Sequence, residues 1–475
     1  MNAAGTLAYL PLLLIVATAT VVMLGIAIRR SHALTVILTL AGLAATFVSV
    51  LAVAPFVPKQ VTPLLLIDRY ALFYIGLITA SAAVVAILSC QYLESHAAER
   101  EELYLLLLLA TLGCAALAAS VHFASFILGL EILSVSLYAM VAYFRDGEHA
   151  LEAGIKYLIL ASASAAFLLF GAALIYADTG TLAFSTVRDL SLGGSHMALV
   201  VPGILFTVTG IGFKLGVVPF HLWTPDVYEG SPAPVTAFVA TASKTAVFAL
   251  LVRYLSSGAM RYPALFYVFA VIAVASMFAG NLLALRQTNV KRILAYSSIA
   301  HFGYILVAFM AGPAMAAAAV GFYLVAYTVT LLVAFGIVGV LSGPERDAGS
   351  LEQYRGLFWR RPVIGGIFTA ALLSLAGIPA TLGFLGKFYV LTSAAAASSW
   401  ALMIVLVITS VAGLFYYLRI VVALYSAPPQ QVAARPGLAR ASVVVLAALA
   451  ILLIWFGVYP GPLLDLVRST LVLVG

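Results

Sequence analysis

Four ionisable residues lie deep inside apolar stretches that are long enough to cross a membrane: Glu131, Lys214, Lys244 and Lys387. A charge at the centre of a bilayer costs roughly 2.5–3.5 kcal/mol on insertion scales. Four such charges together approach the whole stability of a typical protein, about 5–15 kcal/mol. Residues of this kind therefore form pairs, bind water or serve a function.

Lysines and a glutamate at one depth can hold and pass a proton. Burial lowers the pKa of a lysine and a nearby carboxylate raises it, so a moving carboxylate can switch a lysine between keeping and releasing its proton. We expect Glu131 to act on Lys214 in this way, and all four residues to form a water-linked proton relay parallel to the membrane plane. For Glu131 and Lys244 the alternative is a structural ion pair. For Lys214 and Lys387, about six to eight residues from a helix end, the alternative is a side chain that extends to the membrane surface.

Other polar residues are weaker candidates. His301 either relays protons or hydrogen-bonds to a backbone carbonyl, and Tyr304, one helical turn further on, is its expected partner. Glu152 and Lys156 are spaced i,i+4 at the start of a helix, which predicts an interfacial salt bridge rather than a place in the relay.

Two of the apolar stretches are interrupted by glycine and proline next to a lysine. They are "GFKLGVVPFHLWTPDVYEGSPAP", 212–234, and "LAGIPATLGFLGK", 375–387. A proline frees backbone carbonyls, which membrane helices tolerate where the gap is buried in protein or lines a polar cavity, although a packing kink is the simpler alternative. His221, Asp226 and Glu229 either form a proton mouth or hold the first break in place, and we favour the structural role.

The composition places all these residues in a polytopic membrane protein. The chain has 475 residues, 64% of them hydrophobic and 9% charged, with a mean hydropathy of +1.15. The first run lacks a basic n-region and many others follow it, so we expect it to be a retained span rather than a cleaved signal peptide. We predict an all-α protein with fourteen spans and no soluble domain, at 4–28, 34–55, 70–93, 103–120, 122–143, 153–177, 198–220, 233–254, 263–284, 291–311, 315–341, 363–394, 398–424 and 441–459.

The basic residues predict the orientation of the chain. Loops are numbered by the span that they follow, and the odd loops with their helix ends contain fifteen Lys and Arg against six in the even loops and the C-terminus. The positive-inside rule therefore places the odd loops in the cytoplasm and both termini on the opposite side. The basic residues form no stripe of the kind that binds nucleic acid.

Neither the cysteines nor the glycines indicate a cofactor. Cys90 and Cys114 lie singly in apolar runs, without the spacing of iron–sulfur or zinc ligands, so we expect no metal, disulfide or bound redox centre. In "GIPATLGFLGKF" Phe388 follows Gly-Lys where a phosphate-binding loop has Ser or Thr.

The two interrupted spans, 7 and 12, are five spans apart, which predicts a repeat of spans 4–8 and 9–13. Because five is odd, the second unit would be inverted, as in many ion carriers. The predicted pieces are spans 1–3 (1–100), the first unit (101–256), the second unit (257–425) and span 14 (426–475). Glu131 and His301 would then correspond, whereas Lys244 has no central basic counterpart in span 13.

The stretch "GFKLGVVPFHLWTPDVYEGSPAPVTAFVATASKTAVF" closely resembles the subunit N family of the proton-pumping NADH–quinone oxidoreductase, respiratory complex I. "NVKRILAYSSIAHFGYIL", 289–306, and "GIPATLGFLGKFYVL", 377–391, are similar to the wider family of antiporter-like subunits, which includes Mrp-type cation/proton antiporters. The resemblance covers spans 4–13. In that family the glutamate of span 5 pairs with the lysine of span 7, the lysine of span 8 connects the halves and the lysine of span 12 faces the exit. Glu131, Lys214, Lys244 and Lys387 match these positions.

The resemblance implies a membrane-arm subunit that translocates protons in the bacterial inner (plasma) membrane, as part of a hetero-oligomeric NADH:quinone oxidoreductase. It implies that FMN, iron–sulfur clusters and quinone belong to partner subunits and that this chain performs no redox chemistry itself. Its partners would be the antiporter-like subunit M, small membrane subunits and lipids. Two alternatives stay open: an Mrp-type antiporter subunit, and a scaffold whose buried charges only hold helices together.

Overall fold

The computed structural model of the chain describes residues 7–96, 100–144, 149–185, 197–256, 263–343, 346–428 and 438–470. Within these residues thirteen helices are long and apolar enough to cross a membrane. Two shorter apolar helices, Pro362–Ala376 and Leu382–Ala396, together make one further span. The prediction of a helical multi-pass membrane protein is confirmed, and with these two shorter helices counted as one interrupted span the described residues contain the predicted fourteen.

We number the spanning helices 1 to 14 in chain order. Helix 8 consists of three consecutive segments, Ala233–Phe238, Val239–Ser243 and Lys244–Ser256, and helix 12 of the two halves given above. The remaining helices, in order from 1 to 7, 9 to 11 and 13 to 14, are Leu10–Ile28, His32–Val53, Arg69–His96, Glu102–Ala119, Phe123–Val141, Ala150–Thr179, Met197–Leu215, Pro263–Leu285, Val290–Phe309, Pro313–Leu341, Trp400–Tyr425 and Arg440–Val458.

Loop 2 adds one short β-hairpin, which the sequence did not predict, to this all-α fold. Strands Lys59–Thr62 and Leu65–Ile67 pair there as an antiparallel hairpin. The segment is rich in β-branched and leucine residues, which fit a short pleated ribbon between two helices. Within the described residues a 3₁₀ turn, Ala54–Phe56, continues helix 2, and the short helices outside the spans are Trp223–Gly230, Leu351–Tyr354, Leu357–Arg360 and Gly461–Ser469.

The loops alternate between two faces of the bundle, as fourteen spans require. On one face Lys291, next to loop 9, pairs with Asp347 of loop 11 at 2.6 Å. On the other face Asp68 of loop 2 pairs with Arg253, at the end of helix 8, at 2.8 Å. Which face is cytoplasmic stays a prediction from the basic residues. Four residues of that argument lie outside the described part of the chain: Arg145, Arg188, Arg261 and Arg435.

Helix 7 breaks where the sequence predicts it. The helix ends at Leu215, and Gly216 has a φ of +71°, a left-handed conformation that glycine adopts without strain. The chain turns through Pro219 and resumes in Trp223–Gly230. The predicted span of 198–220 is therefore too long by about one helical turn.

Helix 12 breaks in the same manner. Gly377, at φ +86°, donates its N–H to the carbonyls of Leu373 and Ser374 and ends the first half. Thr381 then starts the second half by accepting a hydrogen bond from the N–H of Phe384. The break leaves the last carbonyls of the first half without helical partners.

Helix 8 contains a feature that the sequence does not signal. Val239–Ser243 form a π-helical turn that ends directly before Lys244. Such a turn adds one residue to the helix and changes the direction of the side chains that follow, and it often occurs at functional sites. It sets the direction in which Lys244 points.

Several contacts recur in helices 4–8 and 9–13. His122, before helix 5, forms a β-bridge with Ala183 after helix 6, and Asn289, before helix 10, forms one with Ser350 after helix 11. The first bridge lies beside the even loops and the second beside the odd loops. Matching contacts on opposite faces, together with matching breaks in helices 7 and 12, are what the predicted inverted repeat requires.

Candidate functional site

Lys214 lies near the end of helix 7 and is buried, with 4% of its surface exposed. Its Nζ donates a hydrogen bond of 2.6 Å to the hydroxyl of Ser134 on helix 5. The aromatic rings of Tyr138 and Tyr157 flank the ammonium, with centroids 5.8 and 5.1 Å away. Lys214 therefore does not extend to the membrane surface.

Glu131 is one helical turn before Ser134 and within electrostatic range of Lys214. Among the described residues no ion pair joins it to Lys214, so the expected direct pair is not formed in this conformation. Glu131 is only half-buried, and Leu128 and Val135 on adjacent turns are 60% and 61% exposed. The carboxylate of Glu131 thus lies at the lateral surface of the helix bundle, where its side chain can move toward or away from Lys214.

Aromatic side chains occupy the space between Lys214 and Lys244. The ring of Tyr157 contacts Lys214 on one side and Trp223 on the other, with ring centroids 4.9 Å apart. Trp223 in turn lies 5.7 Å from the Nζ of Lys244. Next to these rings the hydroxyl of Thr224 is buried without a hydrogen-bond partner among the described residues. A buried hydroxyl of this kind can accept a hydrogen bond from water in a polar gap.

Lys244 is fully buried in helix 8. Its Nζ donates to the Ser298 hydroxyl of helix 10 at 2.9 Å, and Ser298 is 2.6 Å from the hydroxyl of Tyr327. The rings of Tyr228 and Phe302 lie 5.4 and 4.9 Å from the ammonium. Within the described residues no ion pair joins Glu131 and Lys244, so the alternative of a structural ion pair gains no support.

His301 lies one turn after Ser298 and continues the row of polar groups. Its Nδ1 is 2.8 Å from the hydroxyl of Tyr323 and its Nε2 is 3.1 Å from that of Tyr417. The expected partner, Tyr304, only packs its ring against the imidazole, at 5.5 Å. Its hydroxyl accepts a hydrogen bond from Asn281 instead. Tyr304 is therefore a ring-packing neighbour of His301, as its position one helical turn further on allows, and the hydrogen-bond partners are Tyr323 and Tyr417.

Lys387 is held by the broken end of helix 12. Its Nζ donates to the carbonyls of Leu375 and Ala376, at 2.9 and 3.0 Å, and to the Ser410 hydroxyl of helix 13 at 2.8 Å. Both carbonyls belong to the last turn before Gly377, where the helix dipole is negative. Lys214 precedes its break, whereas Lys387 follows its break and reaches back to it.

A cavity of about 180 Å³ lies beside Lys387, between the second half of helix 12 and helix 13. Phe388 and Val411, two of its lining residues, are 48% and 57% exposed, so the cavity opens to the side of the bundle. The lining is largely apolar except for Lys387 and Ser410. Whether this space holds water stays a prediction.

The acidic residues after the break in helix 7 form ion pairs. Asp226 contacts Lys156 at 2.9 Å and Arg292 at 3.0 Å, and Glu229 contacts Arg292 at 2.7 Å. Partial burial raises the pKa of Asp226, but its hydrogen bonds to these two cations outweigh that effect and hold the pKa below the usual range. The arrangement supports the structural role that we favoured.

Lys156 belongs to this cluster, whereas His221 does not. Lys156 also pairs with Glu152 at 2.7 Å, so the expected salt bridge is present. His221 does not join the cluster, and its Nδ1 is buried without a partner among the described residues. Burial lowers the pKa of His221 and favours the neutral ring.

The spacing of helix contacts corrects one correspondence between the halves. Gly113 of helix 4 leaves no room for a side chain against the backbone of Leu133 in helix 5, and Gly280 of helix 9 meets Ala300 of helix 10 in the same way. These contacts make Gly113 equivalent to Gly280 and Leu133 equivalent to Ala300. With the same difference in residue number, Glu131 is equivalent to Ser298, and His301 is equivalent to Ser134. Glu131 and His301 are therefore one helical turn out of register with each other.

Comparisons with known proteins agree with this architecture. Residues 120–413 match the family described as NADH:quinone oxidoreductase/Mrp antiporter, TM. The NADH-quinone oxidoreductase subunit N of Ectopseudomonas mendocina (strain ymp) is 47% identical over 474 residues, which cover 98% of this chain and 96% of that protein.

Solved structures share the fold over nearly the whole chain. A chain of respiratory complex I from Thermus thermophilus with bound aureothin is 33% identical, with a TM-score of 0.84 over 96% of this chain and 98% of that chain. A chain of the Mrp complex from Dietzia sp. DQ12-45-1b is 20% identical, with a TM-score of 0.89 over 99% of this chain and 97% of that chain, and so shows the fold alone. With the breaks, the buried lysines and these relatives in agreement, the chain belongs to the subunit N family of antiporter-like membrane subunits of NADH–quinone oxidoreductase.

Proposed function

We propose that this chain translocates protons across the membrane as a membrane-arm subunit of an NADH:quinone oxidoreductase. The path runs along Lys214, Lys244 and Lys387, with Glu131 controlling entry and His301 within the second half of the row. The driving energy comes from quinone reduction in partner subunits, which hold FMN, iron–sulfur clusters and quinone, while this chain moves protons only.

One observation supports this proposal above the scaffold alternative. Buried cations that hold helices together pair with carboxylates in this chain, as Arg253 does with Asp68 and Lys291 with Asp347. Within the described residues, the three lysines of the proposed path instead have hydroxyls, carbonyls and aromatic rings as partners, and none is in an ion pair. A lysine that has no counterion can give up its proton without leaving a buried carboxylate unpaired.

Polar side chains between Lys244 and Lys387 supply part of a proton path. From Lys244 the row continues through Ser298 and Tyr327, whose ring lies 5.7 Å from that of His301. The tyrosine partners of His301 lie next to Tyr304, whose ring is 5.4 Å from the Nζ of Lys387. Hydroxyl groups both donate and accept hydrogen bonds, so they can conduct a proton together with water.

The decisive experiment compares Lys244, which has no carboxylate partner among the described residues, with Lys291, which is paired with Asp347. Lys244→Met and Lys244→Arg are expected to assemble into the complex and oxidise NADH, but to lose most NADH-driven acidification in inverted membrane vesicles. Arginine fails as well because its guanidinium stays charged. Lys291→Met, which leaves the buried Asp347 unpaired, is expected to reduce assembly. Lys59→Met, at an exposed position of loop 2, is the neutral control. Wild-type pumping in Lys244→Met, or equal loss of assembly in all three variants at positions 244 and 291, refutes the proposal.

The proposed setting is the bacterial inner membrane, with the odd loops in the cytoplasm and both termini outside. The neighbours are subunit M, small membrane subunits and lipids. The half-buried carboxylate of Glu131 and the cavity beside Lys387 are the two points where the row reaches the side of the bundle. Cysteines introduced in loop 2 and in loop 9, and treated in intact cells with a membrane-impermeant thiol reagent, test the orientation, since loop 2 must react and loop 9 must not.

A further inference from the structure

A group of possible metal ligands lies far from the lysine row, where helices 2, 3 and 4 meet. His32 is the first residue of helix 2, and Cys90 and Glu94 lie on one face of helix 3, four residues apart. One ligand atom from each of the three lies within 4.8 Å of the others. The Nδ1 of His32 is 3.9 Å from a carboxylate oxygen of Glu94.

A fourth residue fixes the orientation of the histidine. The Nε2 of His32 is 3.1 Å from the hydroxyl of Tyr104 on helix 4, and the two rings pack at 5.7 Å. When Nε2 donates its proton to the tyrosine oxygen, the lone pair on Nδ1 points to Cys90 and Glu94. Histidines that bind metals are held in this way by a hydrogen bond at the other ring nitrogen.

We propose that His32, Cys90 and Glu94 form a binding site for a transition-metal ion of the Zn²⁺ class. One nitrogen, one sulfur and one oxygen donor suit zinc, and the fourth tetrahedral position is left to water. Calcium and magnesium prefer oxygen ligands only, which this group does not provide. On binding, the thiol of Cys90 gives its proton to solvent and the thiolate bonds to the metal, so one proton is released for each ion bound.

The fold can close this site at little cost. Zinc ligands lie about 2.0–2.3 Å from the metal, so their donor atoms must come closer together than they are here. Glu94 is the member that can move, because its side chain is 58% exposed, whereas that of His32 is 13% exposed. The charged side chains around the site include Glu101 and Glu102 as well as Arg30 and Arg100, and with Glu94 they sum to one negative charge.

The proposal changes the expectation drawn from sequence, which treated Cys90 as isolated. The spacing along the chain conceals the site, because the turn between helices 1 and 2 brings His32 to helix 3. A bound ion would join the start of helix 2 to the end of helix 3 on the face of the odd loops. No residue of the lysine row takes part, so the site is independent of the proposed proton path.

Cobalt reports on such a site because a thiolate ligand gives Co²⁺ an intense near-ultraviolet charge-transfer band. The full chain, in lipid nanodiscs and under reducing conditions, is titrated with Co²⁺ after chelator treatment. We expect one Co²⁺ per chain with the thiolate band, and loss of the band when Zn²⁺ is added. The chain has two cysteines, so Cys114→Ala is a matched control that should keep the band, while Cys90→Ser should lose it.

The two other ligands give an independent measurement. Glu94→Gln and His32→Asn should each weaken Co²⁺ binding by at least about 10-fold, and Tyr104→Phe should weaken it less. Because Glu94 is exposed, its variant should fold even if the cysteine variant does not, as size-exclusion chromatography will show. The proposal is overturned if the wild-type chain shows no thiolate band, if Cys90→Ser keeps it, or if Glu94→Gln binds as tightly as the wild type.

Discussion

Gly216→Ala should uncouple the chain while leaving it assembled, because Gly216 lies against the central lysine. A side-chain carbon at this position would overlap the hydroxyl of Thr224 and lie 3.2 Å from the Nζ of Lys244. Both neighbours are fully buried, so they have little space into which to move. The substitution must therefore displace one or both of them.

The size of the effect has two parts. A left-handed conformation costs a residue with a side chain roughly 1–2 kcal/mol, and overpacking a tight site costs roughly 1–3 kcal/mol more. The sum, about 2–5 kcal/mol, is below the 5–15 kcal/mol stability of a typical domain. Most of the chain should therefore remain folded, with Lys244 out of its place beside Ser298.

Three other glycines separate these contributions. Gly180 has a φ of +68° but no atom within 4 Å of a new side-chain carbon, so Gly180→Ala tests backbone strain alone. Gly366 lies in helix 12 with open space around it and no unusual φ, so Gly366→Ala tests neither effect. Gly377→Ala repeats the experiment at the second break, where the new carbon would lie 2.9 Å from the Cδ of Lys387.

The assay measures NADH oxidation and proton uptake in inverted vesicles, each divided by the amount of assembled complex on native gels. Gly180→Ala and Gly366→Ala should pump at the wild-type ratio of protons to NADH. Gly216→Ala and Gly377→Ala should lower that ratio several-fold. If Gly216→Ala pumps normally while it assembles like Gly180→Ala, the position of Lys244 is not critical and the reasoning fails.

Substitutions of Glu131, Lys387 and Asp226 test the charges of the site one at a time. Glu131→Gln should lower pumping more than assembly, because it keeps the side-chain shape but removes the charge near Lys214, and normal pumping in this variant would remove Glu131 from the path. Lys387→Arg should assemble, since a cation still faces the carbonyls of the broken helix, but it should pump poorly because arginine does not release its proton. If Lys387→Arg pumps fully while Lys387→Met does not pump, only a fixed positive charge is needed at this position. Asp226→Asn should lower the melting temperature at neutral pH, because the pKa of Asp226 is lower in the folded state than in the unfolded state. The ionised carboxylate therefore stabilises the fold above the usual carboxyl pKa, and this contribution is lost as the pH falls through the folded-state pKa. Equal melting temperatures of the variant and the wild type at neutral pH would contradict this prediction.

The sequence predicts the features that a membrane makes costly. Lys214, Lys244 and Lys387 are conspicuous because charges are rare in long apolar runs, and the breaks at Gly216 and Gly377 because glycine and proline interrupt helices. These features depend on local composition, so no knowledge of the packing is needed to find them.

The partners of the lysines could not be predicted in this way. Ser298 and Tyr417 are ordinary residues of apolar helices, and only the packing of helices 8, 10 and 13 makes them neighbours of Lys244 and His301. The π-helical turn before Lys244 also lacks a local sequence signal. A periodic pattern shows which face of a helix is buried, but not which helix lies against it.

The buried cations divide by depth, and this division separates stability from transport. Those that pair with acids lie at helix ends on the two faces, where Lys291 also binds the backbone carbonyls of Glu229 and Ser231 and so fixes the segment after the break in helix 7. Lys214, Lys244 and Lys387, which have no ion-pair partner in the part of the chain that the structure describes, lie between these faces, beside the breaks. The faces can thus hold the helices in register while the charges between them change. Neutralising a cation on a face should weaken assembly, whereas neutralising one in the middle should remove transport from a complex that still assembles.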